Sequence, residues 1–143
     1  MQVTLVPTEG VLHMWPKVRP HLSKVVEYTQ GRYETDDILV SLTDYGHHLW
    51  VAFEDQDVTG VIVTTFAEYP RKRALNMVFC AGEGIVDWRR PMLDLLRRWA
   101  KDNHCEAIEA SGRKGWLKFL DDDGLKPLWH TFELPVDWEP DNG

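Results

Sequence analysis

The clearest pattern of apolar and polar positions lies in residues 74–124. Ala74-Leu75-Asn76-Met77-Val78-Phe79-Cys80 is an apolar run of strand length, broken by Ala81-Gly82-Glu83-Gly84. Trp88, Met92, Leu95, Leu96 and Trp99 then recur at i, i+4, i+7, i+8 and i+11, which is one face of a helix with Asp87 as its N-cap. His104-Cys105 leads into a second strand, Glu106-Ala107-Ile108-Glu109-Ala110, ended by Ser111-Gly112. Strand, helix and strand make a βαβ unit whose strands run parallel with a right-handed crossover. A glycine loop ahead of the helix leaves backbone N–H groups at a positive dipole end, where an anion would sit.

The flanking segments carry weaker patterns. Val3-Thr4-Leu5-Val6 reads as a strand ended by Pro7. Trp15, Val18, Leu22, Val25 and Val26 form a helical stripe, with the start expected near Pro16 or Pro20 and the stop at Gly31. Thr35-Asp36-Asp37 caps a short helix with Ile38, Leu39 and Leu42 inward and Gly46 at its end. Leu49-Trp50-Val51-Ala52-Phe53 and residues 58–66 read as a hairpin about Glu54-Asp55-Gln56-Asp57. Tyr69-Pro70-Arg71-Lys72-Arg73 reads as a basic turn into the fourth strand. Beyond the βαβ unit a short helix is expected over 116–120, a turn at Asp121-Asp122-Asp123-Gly124, and a last strand over 128–134.

Composition narrows the class. At 143 residues, with 43% hydrophobic residues and seven Trp, the chain reads as one domain over 1–143 with a dense interior and an acidic tail at 137–143. A net charge of −7 argues against nonspecific attraction to nucleic acid or to an acidic membrane. No stretch approaches a transmembrane span, and Met1-Gln2-Val3-Thr4-Leu5 lacks the pattern of a signal peptide. Cys80 and Cys105 are expected at opposite ends of parallel strands, too far apart for a disulfide, which suits a reducing cytoplasm.

The order of elements resembles the GNAT acyltransferase superfamily, which places its coenzyme A pyrophosphate at this glycine loop. The family pattern there is Gln/Arg-x-x-Gly-x-Gly/Ala. Phe79-Cys80-Ala81-Gly82-Glu83-Gly84 matches both glycines and puts Phe79 at the Gln/Arg position. A second landmark runs Asn, a small residue, Tyr and Gly-Phe. Anchored on Gly124-Leu125, it puts Arg113 at the Asn, Trp116 at the small position and Leu120 at the Tyr that usually protonates the departing thiolate. Gly112-Arg113-Lys114-Gly115-Trp116-Leu117-Lys118-Phe119-Leu120, with Trp88, Trp99-Ala100-Lys101 and Cys105-Glu106-Ala107-Ile108-Glu109, is similar to GNAT-like proteins of tailed bacteriophages, described as acetyltransferases or internal virion proteins.

The resemblance implies an α+β fold: a GNAT-like mixed twisted sheet with a central βαβ unit, helices on both faces, and fourth and fifth strands splaying around the glycine loop. It implies two functions. One is a non-catalytic virion component, with no cofactor, made in the host cytoplasm and held among portal, adaptor or internal virion proteins. The other is an acyl-CoA-dependent N-acetyltransferase acting on a host or phage amine with acetyl-CoA. Fold similarity does not by itself confer a reaction. In the enzymatic reading Gly82, Glu83, Gly84 and Arg89, with Arg90 beside it, would hold the pyrophosphate; otherwise Gly82 and Gly84 serve only to turn the chain. Glu83 adds a negative charge there, which at close range costs a phosphate on the order of 1 kcal/mol or more.

Amine acylation needs a base of near-neutral pKa and usually an acid. The candidate bases are Glu68, Cys80, Ser111, His47 and His48; spacing selects none, and Leu120 cannot be the acid. Adjacent strand residues point to opposite faces, so His47 and His48 read as a surface turn rather than a ligand pair. No His, Cys, Asp or Glu set has metal-ligand spacing. Arg71-Lys72-Arg73 and Arg113-Lys114 read as solvated turns or as contacts for acidic partners. Trp138, outside any periodic stripe, is the candidate anchor on a neighbouring protein.

Overall fold

The computed structural model describes residues 1–112 and 121–141. Strand β1 (Gln2–Val6) leads through a 3-10 turn (Thr8–Gly10) into α1 (Val11–Val26) and α2 (Thr35–Asp44). Strands β2 (His48–Glu54), β3 (Asp57–Tyr69) and β4 (Lys72–Gly82) follow, then α3 (Ile85–Asp102) and β5 (Ala107–Ala110). The sheet order is β1-β2-β3-β4-β5, antiparallel except for the parallel pair β4 and β5. The fold is therefore α+β on a mixed sheet, with the expected βαβ unit at one edge.

Period-two alternation divides the interior into two layers. Leu49, Val51, Val61 and Val63 face α1 and α2, where they meet Val11, Val18, Leu22, Ile38 and Leu42. Trp50, Ala52, Ile62 and Leu75 face α3, where they meet Trp88, Met92, Leu96 and Ala100. Fully burying each large aliphatic side chain contributes about 1.5–3 kcal/mol, so each helix is fixed by its apolar stripe.

Several boundaries differ from the sequence reading. Helix α1 starts at Val11 and runs through Pro16 and Pro20 rather than beginning at either. Both prolines are exposed, so carbonyls freed by their missing N–H groups face water, while Val11, Val18 and Leu22 hold the other side to the sheet. The cap of α2 is Glu34, whose side chain accepts from Asp37 N–H while Asp37 accepts from Glu34 N–H, a reciprocal box one residue earlier than expected. Lys72 and Arg73 belong to β4, not to the turn, because they pair with Tyr69 and Glu68. Helix α3 is capped by Gly84 rather than Asp87, which lies in its first turn. Residues 128–134 form no strand: they are exposed and lack regular structure. The helix expected over 116–120, with Arg113, Lys114, Trp116 and Leu120, lies outside the described residues.

Candidate functional site

The site is shaped by one extra residue. Val63 pairs with Phe79 but Thr64 pairs with Met77, so Val78 is a bulge in β4. Leu75 and Met77 pack on the α3 side, whereas beyond the bulge Phe79 joins the α1 side and Cys80 the α3 side. The β4–β5 ladder runs from Ala74 with Ala107 to Met77 with Ala110 and ends at that bulge. Past it, β4 continues to Gly82 without β5 beside it. A cleft of about 850 Å³ fills the gap, lined by Val78, Phe79, Cys80 and Gly82 of β4, Ala110 and Ser111, and Tyr28 and Tyr33 after α1. Tyr33 meets Phe79 edge-on at 5.1 Å.

Both glycines of the loop answer to local geometry. Gly82 has φ +135°, and a Cβ there would lie 2.2 Å from Thr59 O, so β3 and β4 touch through it. Gly84 has φ +61°, the left-handed region, and caps α3 without any side-chain hydrogen bond. Glu83 N–H donates to Thr59 O at 2.8 Å, and the Glu83 carbonyl accepts from Trp88 Nε1 at 2.8 Å. The Glu83 carboxylate is exposed and reaches Lys24, a residue of the cleft lining, at 3.9 Å.

Arg89 and Arg90, on the first turns of α3, converge on one carboxylate. Asp123 Oδ2 is 3.0 Å from Arg89 Nε, and Asp123 Oδ1 is 3.1 Å from Arg90 Nε. The Asp123 side chain is 8% exposed and that of Arg89 is 16%, so this pair is largely out of water. The Asp121-Asp122-Asp123 run reads as a turn in sequence, and nothing in its spacing marks Asp123 as the arginines' partner. Tyr33 and the Val78 bulge were equally hidden: Tyr33 stands outside any periodic stripe, and the bulge falls where Met77, Val78, Phe79 and Cys80 are all apolar and show no alternation.

The other candidates are dispersed. Cys80 and Ser111 both line the cleft; burial pushes the Cys80 thiol up to about 12, so it is protonated at neutral pH. Glu68 pairs across the β3–β4 ladder with Arg73, at the opposite end from Gly82, and binds it at 2.9 Å. His48 lies on the α3 side, ringed by Phe66 and Trp99. Burial first, then the charges of His47 and Arg73, hold it down to about 4. Cys80 and Cys105 are both free thiols. Among the described residues no group of three or more His, Cys, Asp or Glu could hold a metal ion. No described helix is long and apolar enough to cross a membrane.

No family model and no curated protein matches the sequence. Solved structures do match in shape. A probable acetyltransferase superposes with a TM-score of 0.69 at 13% identity, covering 97% of this chain and 100% of that one. A ribosomal-protein-alanine N-acetyltransferase from Brucella melitensis biovar Abortus 2308 gives 0.67 at 14% identity, covering 95% and 100%. A predicted acetyltransferase with acetyl-CoA from Clostridium acetobutylicum gives 0.68 at 15% identity, covering 94% and 96%. These likenesses lend no support to a bacteriophage or virion origin. What they establish is the architecture: the chain has the GNAT fold, with its parallel strands parted at the head of α3.

Proposed function

We propose that the chain is an acyl-CoA-dependent N-acetyltransferase. The observation that carries this reading is the gap opened by the Val78 bulge, which leads from the sheet interior to the unsealed N-terminus of α3. Beyond Met77, β4 has no ladder partner on its β5 side among the described residues. Its backbone groups there can hydrogen-bond an extended amide-bearing chain, as a missing strand would. Phe79, Val78 and Ala110 give that chain an apolar wall, and the first-turn amides of α3 lie where a diphosphate gains from the helix dipole. Arg89 stands beside that turn with its charge already directed at an anion. Acetyl-CoA would supply the activated acyl thioester.

A different observation favours a non-catalytic scaffold, the virion component included. Asp123 already satisfies both Arg89 and Arg90, so an incoming diphosphate must displace a carboxylate or share the arginines with it. Titration calorimetry with acetyl-CoA decides between the two. The enzymatic reading expects a micromolar dissociation constant, lost in Ser111→Trp, whose bulk enters the cleft mouth while far-UV circular dichroism stays unchanged. No heat at millimolar ligand would overturn it in favour of the scaffold. The expected turnover on an amine panel is measured by thiol release.

A further inference from the structure

One segment of the described chain is tied at its two ends and not between them. At one end Asp123 joins Arg89 and Arg90 of α3, its Oδ2 and Oδ1 lying 3.0 and 3.1 Å from their Nε atoms. At the other, Glu133 binds Arg32, in the turn after α1, at 2.7 Å. Arg89 and Arg32 line the cleft from its α3 wall and its α1 wall, and Leu125 and Thr131 of the intervening segment line it too. Residues 123–133 therefore cross the cleft. Among the described residues no hydrogen bond holds the backbone of residues 125–132 to the rest of the chain. Leu128, Trp129 and Phe132 are more than half exposed, so packing holds the stretch no better. The two ties are unequal. The side chains of Arg32 and Glu133 are both about half exposed, and a pair so exposed contributes little. Those of Asp123 and Arg89 are largely out of water, so the Asp123 tie fixes where the segment lies.

We propose that residues 123–133 form a strap over the cleft, latched by Asp123, and that the diphosphate of acyl-CoA releases it by taking Arg89 and Arg90 from that carboxylate. The inference rests on the acyl-CoA reading of the cleft. One carboxylate spans two guanidinium groups on the first turns of α3, beside the place that reading gives the diphosphate. A diphosphate brings more charge and more acceptor oxygens than a carboxylate, and it gains the first-turn amides of α3 as further donors. Asp123 is thus an internal competitor: apparent affinity for the cofactor is lowered by the fraction of molecules that are latched. Once Asp123 is displaced, only the exposed Arg32 pair holds the strap, and Leu125 and Thr131 leave the cleft wall together.

Titration calorimetry on the full chain tests this, with acetyl-CoA and with adenosine diphosphate, which carries the diphosphate without the pantetheine arm. Asp123→Asn keeps the shape of the side chain and removes its charge. It is expected to tighten both ligands about tenfold. Glu133→Gln, at the exposed end, leaves the fold untouched and is expected to tighten them about twofold, with no further gain when added to Asp123→Asn. Asp122→Asn removes a neighbouring charge but no latch contact, and is expected to change affinity less than about twofold. In chain labelled with 5-fluorotryptophan, adenosine diphosphate is expected to narrow the fluorine resonance of Trp129, identified by Trp129→Phe. Asp123→Asn should do the same without ligand. Equal affinity in wild type, Asp123→Asn and Glu133→Gln overturns the latch and leaves the acyl-CoA reading standing. So does tighter binding shared equally by Asp122→Asn, or binding that leaves the Trp129 resonance unmoved. Failure of both ligands to bind wild type and every variant overturns the reading and the latch together.

Discussion

The Thr64 hydroxyl, wholly buried, is shared by two rings on the α3 side of the sheet. It accepts from Trp50 Nε1 at 2.9 Å and lies 2.8 Å from His48 Nδ1, to which it can donate. A neutral imidazole suits that arrangement, and burial keeps the ring neutral down to about pH 4. Above 6.5 the ring is neutral whether the chain is folded or unfolded, and stability is full. As pH falls from 6.5 towards 4, the unfolded chain takes up a proton that the folded ring refuses, so stability falls. Urea midpoints recorded across that window should decline, and the decline should flatten in His48→Gln. Thr64→Val strands the Trp50 N–H without an acceptor and is expected to cost about 1–3 kcal/mol in urea unfolding at pH 7.

Among the elements, β3 lies so close to α3 at Gly60, and to β4 at Gly82, that two glycines are needed. A Cβ on Gly60 would lie 2.4 Å from the Trp88 ring. Gly60→Ala is therefore expected to destabilise by about 1–3 kcal/mol, read as a lowered urea midpoint, with red-shifted Trp emission as the indole is pushed outward. How much of this scale the sequence disclosed depended on period. The βαβ unit was legible because Trp88, Met92 and Leu96 keep helical spacing between two apolar runs, and the hairpin because Asp55 and Gln56 separate two β-rich stretches. Helix α1 was misjudged at its start: local propensity at Pro16 and Pro20 argues for a break, and burial of Val11, Val18 and Leu22 overrides it. Residues 128–134 are rich in apolar residues but pair with no described strand. The Arg89–Asp123–Arg90 cluster was hidden because it joins residues more than thirty apart, and no local pattern reports such a contact.

For the whole molecule, one sheet serves two apolar layers. Leu22→Ala in the α1 layer and Leu96→Ala in the α3 layer are each expected to cost about 2–5 kcal/mol. Because both layers share β2, β3 and β4, the near-ultraviolet signal of Trp50 and Trp88 should melt in Leu22→Ala at the same midpoint as the far-ultraviolet signal. Two separate midpoints would mean that the layers unfold independently. The extra residue at Val78 bears on how such a molecule can change over generations. Substitutions repaint the cleft wall one position at a time, but loss of that residue would straighten β4: Met77 would still face Thr64 and Phe79 would still face Val63, now in plain alternation, with no break left to end the β4–β5 ladder. Length at this point, more than side-chain identity, decides whether the chain keeps a room between its strands or closes into an ordinary sheet.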